Sequence, residues 1–399
     1  MRLINRDSYV TQAMSVNGAP DIKVITGVRR SGKSKLLEKL ISKIKRVDRL
    51  SNVVHINFNI LKFEPLLEYH ALYDYIESRY EKKKHNYLFI DEVQMCKNFE
   101  KAINSLHTEE KFDIYLTGSN AFLLSSDLAT LFTGRTFEIE VFPFSFAEYL
   151  KYYGSKNKYD AFDSYMEEGG MAGSYLYKSR AQKYDYINGE VFNALIIRDI
   201  INKYKIRNRA LLDTLVDFLM DNIGNLVSVR KIAASLASNK TKVNDKTIGK
   251  YIDYLCKAFA FYRIRRYDIR GKKYLASEDK YYLSDHSFKY ARLGTKNMDY
   301  GHVLENVVAI ELLRRGYELY AGVLYKKEID FVAVKKDEKI YIQVSDDITN
   351  PQTFERELEP LLAIKDAYPK ILLTRSRKKM RQFEGVKIYD TADWLLLNA

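Results

Sequence analysis

At 399 residues, with 46% hydrophobic and 29% charged side chains, the chain is long enough for two or three cores and too apolar to be disordered. Its two cysteines, Cys96 and Cys256, lie far apart without a CxxC partner, which excludes a disulfide framework or a cysteine zinc site and points to a reducing interior. The net charge of +13 is local: residues 226–292 hold 16 Lys and Arg against 6 Asp and Glu, whereas residues 296–399 hold 17 of each. Charge concentrated in one segment is the footprint of a phosphate-backbone binder. The N-terminus, MRLINRDSYVTQAM, has no apolar signal core, and no stretch reaches the roughly 20 apolar residues of a bilayer span. A cytoplasmic protein without a membrane partner is expected. The six histidines are scattered, none at metal-ligand spacing.

In chain order, the first informative stretch is KVITGVRRSGKSKLLEKL, an apolar strand, a loop and an amphipathic helix. The loop fits the P-loop pattern, Gly27-x-x-x-x-Gly32-Lys33-Ser34. Its glycines let consecutive amides point at phosphates, Lys33 supplies a point charge there, and the Ser34 hydroxyl can ligate magnesium. ATP is expected against Gly27, Arg29, Arg30, Ser31, Gly32, Lys33, Ser34 and Lys35, with Arg29 and Arg30 either touching phosphate or facing solvent. A second strand, YLFIDEV, ends in Asp91 and Glu92. An acid at the carboxyl end of a neighbouring strand faces the ligand crevice, so Asp91 can share the Mg2+ shell with Ser34 while Glu92 activates water. A third strand, FDIYLTGSN, ends in Thr117, Gly118, Ser119 and Asn120, which either sense the γ-phosphate or cap the following helix. Strands near Val24, Val53, Leu88, Ile114 and Phe137 alternate with helical stretches, as in a mostly parallel sheet covered on both faces.

The succession GVRRSGKS, YLFIDEVQ, LTGSN, LFTGRTFEIEVFPFSFAEYL and EEGGMAGS resembles the AAA-type P-loop ATPases of archaea and bacteria, which are close to the STAND-type signalling ATPases. The resemblance covers nearly the whole chain. It implies an α/β fold in four parts: a P-loop AAA-type ATPase core over residues 1–144, a helical lid over 145–205, a winged helix-turn-helix over 206–295, and a restriction-endonuclease-like α/β domain over 296–399. It also implies ATP and Mg2+ as cofactors, with Lys33, Glu92, Asn120 and Arg135 as the catalytic set. Arg135 follows the sensor helix and would complete a nucleotide site in cis or in a neighbouring subunit of a homo-oligomer, unless it is a surface arginine.

The basic segment reads as helix, helix, turn, helix and hairpin. Ser228 caps one short helix, and Asn244 or Asp245 caps another with Ile248, Tyr251, Ile252 and Leu255 on its buried face. FYRIRRYDI and KYYLSD flank a charged turn, as a wing would. In that arrangement Lys242, Lys246, Thr247 and Lys250 face the major groove, and Arg270, Lys272 and Lys273 reach the backbone. Lysines read phosphate rather than base edges, so DNA binding with weak sequence preference is expected. The alternative is a protein-contact surface with a merely solvated lysine face.

Residues 300–374 follow the order helix, strand, strand, strand, helix, strand, the order of the PD-(D/E)XK nuclease core. Active members of that fold set an acid and a lysine two residues apart on one strand, beside an aspartate on the previous strand. Asp330 matches the aspartate and Glu305 the supporting acid, but Gln343 and Ser345 occupy the acid and lysine positions. Losing a carboxylate weakens a Mg2+ site and losing the lysine removes a catalytic part, unless a lysine such as Lys326, Lys327 or Lys365 has migrated in. Three readings follow: a Mg2+-dependent ATPase that engages DNA, an ATP-regulated endonuclease using Asp330, or a STAND-like switch with a protein ligand.

Overall fold

The computed structural model describes residues 4–118, 132, 134–237, 244–271, 273–295, 299–325 and 327–397. The chain divides into two compact units, one ending at Val141 and one beginning at Phe142.

The first unit is built on five parallel strands: β1 (Ile22–Thr26), β2 (Asn52–Asn57), β3 (Asn86–Asp91), β4 (Asp113–Thr117) and β5 (Thr136–Glu140), in the spatial order β2-β3-β4-β1-β5. The five expected strands are therefore all present. Side chains alternate across a strand, so a fully buried sheet needs apolar residues at consecutive positions. Leu88 and Ile90 face a core with Leu72, Ile76 and Ile103, while Tyr87 and Phe89 face the other core with Leu36, Leu40 and Ile44. The helices Lys33–Val47 and Phe99–Thr108 thus cover opposite faces. A buried charge pair links the neighbouring strands β1 and β4: Lys23 Nζ meets Asp113 Oδ1 at 2.6 Å.

In the second unit the helices Phe146–Tyr153, Lys158–Glu168 and Arg180–Tyr186, followed by π-helical turns to Asn202, fall within residues 145–205, the stretch expected to form a helical lid. They are not a separate body. Asp163 pairs with Arg375 at 3.0 Å, and the Tyr165 carbonyl meets His286 Nε2 at 2.8 Å. The helices Arg209–Asp221, Val229–Leu236 and Asp245–Lys257 precede a hairpin of β6 (Phe261–Asp268) and β7 (Lys273–Leu283). Ser228 and Asn244 cap the second and third of these helices, and Ile248, Tyr251, Ile252 and Leu255 are buried, as the sequence pattern requires.

The hairpin does not end a domain. It continues an eight-stranded sheet, β12-β13-β11-β10-β9-β8-β6-β7, with β8 (Glu318–Leu324), β9 (Lys327–Lys335), β10 (Glu338–Ser345), β11 (Lys370–Thr374), β12 (Arg381–Phe383) and β13 (Val386–Asp390). β6 pairs in parallel with β8, so the boundary expected at 295 cuts a continuous hydrogen-bonded sheet, and neither it nor the one at 205 separates compact units. No helix among the described residues is long and apolar enough to cross a membrane.

Asp285 joins the early helices to the end of β7. Its Oδ2 accepts from Gly170 N at 2.7 Å and its Oδ1 from Ser287 N at 3.0 Å and from Ser287 Oγ. The chain must be glycine here, because a Cβ on Gly169 would lie 2.1 Å from Asp285 Oδ1 and one on Gly170 would lie 2.3 Å from the Phe144 carbonyl oxygen. Asp285→Ala leaves buried donors without an acceptor and should destabilise the second unit by about 2–4 kcal/mol. Urea denaturation followed by hydrogen exchange of residues 165–170 checks this, and an unchanged midpoint would remove the joint from the account.

Candidate functional site

The P-loop joins β1 to the helix that begins at Lys33. Gly27 and Gly32 have φ of 127° and 101°, and Arg30 adopts φ 65°, so the loop turns through left-handed backbone at three places. Gly27 is needed for a second reason: a Cβ there would lie 2.1 Å from the Val141 carbonyl oxygen, where β5 ends. Lys33 is buried and folds back into the loop, donating to the carbonyls of Gly27 at 2.8 Å and Val28 at 3.2 Å. Just before the N-terminal helix Asp7–Ser15, Arg6 Nη1 donates to the Ser31 carbonyl at 2.8 Å while its guanidinium stacks on Tyr9.

At the carboxyl end of β3, Asp91 is buried and its Oδ1 gathers hydroxyls from two other elements: Ser34 Oγ at 3.1 Å and Thr117 Oγ1. Thr117 also accepts from the Glu92 amide at 3.2 Å. Glu92 takes a left-handed conformation (φ 58°, ψ 48°), a strained backbone for a residue with a Cβ, and its carboxylate accepts from Gln94 Nε2. Thr26 Oγ1 donates to Glu138 Oε1 at 2.8 Å beside the loop's origin, where burial raises the Glu138 carboxyl above its usual range.

Ser34, Asp91, Glu92, Lys33 and Thr117 are therefore brought together by β1, β3 and β4. The hydroxyl of Ser34 and the carboxylate of Asp91 are the hard oxygen donors that Mg2+ takes, and they already lie within hydrogen-bonding distance, so this donor set fits that ion. Other expected residues are not gathered here. Lys35 is exposed and pairs with Glu38 at 2.8 Å on its own helix, and Arg30 is exposed. Arg29 is half-buried in the loop. Arg135 is exposed, and its carbonyl accepts from Ile22 N at 2.9 Å, which sets it at the opposite end of β1 from the loop and outside this chain's own site. Ser119 and Asn120 lie outside the described residues. Sequence reasoning missed Arg6, Gln94 and Glu138; only the short spacing of Gln94 from Glu92 offered a signal.

In the basic segment Lys246, Lys250 and Arg270 are exposed, the last stacked over Tyr325. Lys242 and Lys272 lie outside the described residues, as does the side chain of Lys273. Several neighbouring cations are already matched: Lys231 with Glu278 at 2.6 Å, Arg266 with Glu278 at 3.2 Å, and Arg263 with Asp253 at 2.5 Å.

A second acid cluster lies on the eight-stranded sheet. Asp330 on β9 and Glu305 on the Tyr300–Arg314 helix converge as expected, but with a lysine that was not expected. Lys280, from β7, sets its Nζ 2.8 Å from Glu305 Oε1, 2.6 Å from Glu328 Oε1 and 3.4 Å from Asp330 Oδ1, with its side chain only 2% exposed. Lys327 instead pairs with Glu359, Lys365 is exposed, and Lys326 lies outside the described residues. Burial opposes the Lys280 charge, but Glu305, Tyr282, Asp330 and Glu328 outweigh it and hold its pKa well above the ordinary lysine value. Burial pushes the Asp330 carboxyl up to about 8, with Glu305 adding to the rise. Gln343 is spent internally: its Oε1 accepts from Asp330 N at 3.2 Å and its Nε2 donates to Glu357 at 2.9 Å. Ser345 Oγ donates to the Asp347 carbonyl at 3.1 Å. Among the described residues no group of three or more His, Cys, Asp or Glu is arranged to hold a metal ion. A divalent cation about 3 Å from the ammonium would meet repulsion of roughly 10 kcal/mol at an effective dielectric of about 20. The donor set here does not fit the magnesium of a nuclease site.

Residues 19–150 match the model of an AAA domain, and residues 159–299 that of a domain of unknown function. A Haemophilus influenzae protein, described only as uncharacterized, is 37% identical over 399 residues, covering 99% of both chains. This chain belongs to the same family. A more distant relative, an uncharacterized protein of Methanocaldococcus jannaschii, is 29% identical over 384 residues, covering 92% of this chain and 82% of its own. Among solved structures, a Walker-type ATPase of Pyrococcus abyssi aligns with a TM-score of 0.47 at 15% identity, over 72% of this chain and 95% of that one. The P-loop and its facing acids lie inside the matched AAA domain.

Thr117 holds both acids of this site. Thr117→Val removes a donor to a buried carboxylate and an acceptor from the Glu92 amide, and should cost about 2–3 kcal/mol, while Thr117→Ser should restore most of the stability. Chemical denaturation of the three proteins measures both effects.

Proposed function

We propose that the chain hydrolyses ATP with Mg2+ and engages DNA through its exposed basic face, nucleotide state controlling how its parts are arranged. The observation that carries the first half is the convergence of Lys33, Ser34, Asp91 and Glu92 at the mouth of a P-loop whose backbone turns through left-handed φ. Ser34 and Asp91 would hold the ion, which when bound neutralises charge on the phosphates. Lys33 exchanges its loop carbonyls for phosphate oxygens, at little electrostatic cost because both partners accept hydrogen bonds from the same ammonium. Glu92 receives the proton of the attacking water, its carboxylate held by the hydrogen bond from Gln94 Nε2.

Lys33→Ala should weaken ATP binding at least tenfold, whereas Glu92→Gln should keep binding and lower turnover by roughly 10²–10⁴-fold. Calorimetry and single-turnover hydrolysis separate the two steps; full turnover in Glu92→Gln would disprove the base assignment.

The DNA half rests on Lys246, Lys250 and Arg270, which are exposed on the segment that carries the net charge. Phosphate contacts release counterions, so affinity for a labelled duplex should fall log-linearly with salt. The double variant Lys246→Glu, Lys250→Glu should weaken binding uniformly across sequences and flatten that slope by about 2. Unchanged binding, with ATP hydrolysis intact, would favour a protein ligand at this face.

A further inference from the structure

The acid cluster of the eight-stranded sheet differs from the metal site that its strand order leads one to expect, and the difference is specific. Three carboxylate oxygens, from Glu305, Glu328 and Asp330, converge on the single nitrogen of Lys280. That nitrogen is not a loose surface charge. It is delivered by β7, whose end is fixed to the Tyr300–Arg314 helix by Asn306: the Asn306 amide accepts from Leu283 N at 2.7 Å and donates to the Leu283 carbonyl at 2.9 Å, as a neighbouring strand would. Tyr282 donates its hydroxyl to Glu305 Oε1, and Gly224 N donates to the Tyr281 carbonyl at 3.2 Å. Gly224 also closes the cluster, since a Cβ there would lie 2.9 Å from Glu305 Oε2. The second oxygen of Asp330 is taken by Val344 N at 2.9 Å.

We infer that the Lys280 ammonium is the resident cation of the Glu305, Glu328 and Asp330 cluster and takes the place of a divalent metal, so that this sheet keeps the acids of a nuclease-type site without cleaving phosphodiesters. A fixed monovalent cation compensates buried carboxylates without a bound ion, and it repels a divalent one. It cannot polarise a phosphoryl oxygen or ionise a water as a metal does, and the neutral Gln343 adds no ligand charge. The inference concerns the second unit alone and does not depend on the reading of the P-loop.

Nucleotide-free full-length protein titrated with Mn2+ and read by electron paramagnetic resonance tests the claim. The wild type and Asp330→Asn should bind the same number of ions, and neither should nick duplex DNA with Mn2+. An ion, or a nicking activity, present in the wild type and lost in Asp330→Asn would overturn it. Lys280→Ala removes the cation from among buried carboxylates and should lower the melting temperature by roughly 10 °C in chelator. Millimolar Mn2+ should recover at least half of that loss, and adding Asp330→Asn should abolish the recovery. If the single variant folds and Mn2+ recovers nothing, the ammonium does not stand in for a metal; if it does not fold, the comparison of wild type with Asp330→Asn still decides.

Discussion

The carboxylate of Asp91 is the tie on which the nucleotide unit depends. It is buried, and it receives the Ser34 hydroxyl from the helix that follows the P-loop and the Thr117 hydroxyl from β4. An unpaired carboxylate in that position would cost several kcal/mol, so the two hydroxyls fix the relative height of β3, β4 and the P-loop helix. The loop's origin is set independently, by the approach of Gly27 to the end of β5, which admits no side chain. Strand order then does the rest: β1 lies between β4 and β5, so the loop opens beside the strand that carries Thr117. Glu92, where chemistry is expected, is one of several residues with left-handed backbone, and the Thr117 hydrogen bond to its amide offsets part of that strain.

The second unit solves a different electrostatic problem. A helix buried along most of its length, Tyr300–Arg314, carries Glu305 and Asn306 side by side. Asn306 satisfies the backbone of β7 and Glu305 satisfies Lys280 and Tyr282 on the same strand. The β6–β8 pairing makes the basic hairpin part of the C-terminal sheet, and these two residues fasten its outer strand, β7, to the helix. The same helix end is braced by Glu311, which pairs with Arg314 and, at 2.8 Å, with Arg315.

Local patterns carried most of the fold. The five parallel strands, the P-loop, the two helix caps at Ser228 and Asn244, and the strand succession through β11 are all written in spacing and residue type, because each depends on neighbours within a few residues. What could not be read was pairing over long sequence distances. Nothing in FYRIRRYDI announces that β6 will pair in parallel with β8, and nothing near Asp330 points fifty residues upstream to Lys280. The lysines expected to substitute, Lys326, Lys327 and Lys365, flank Asp330 in sequence, whereas the sheet brings Lys280 from across β6 and β8. Arg135 shows the same limit in reverse: its motif was legible, but its place at the far end of β1 is a property of the sheet.

That limit bears on how net charge is read. The basic excess of residues 226–292 is a count, and a count assigns every lysine to the surface. In the folded chain Lys280 and Lys289 are buried, Arg292 pairs with Asp217 and, at 3.3 Å, with Asp213, and Lys231 and Arg266 share Glu278. Asp213 and Asp217 lie upstream of the segment, so part of its excess is neutralised by acids outside the window. Surface potential follows the exposed, unmatched charges, and among the expected contacts described here those are Lys246, Lys250 and Arg270. A backbone-binding face built from few contacts gives a shallow salt dependence, because the slope scales with the number of phosphates neutralised. On the proposed reading, DNA engagement follows these exposed side chains and not the total charge of the segment.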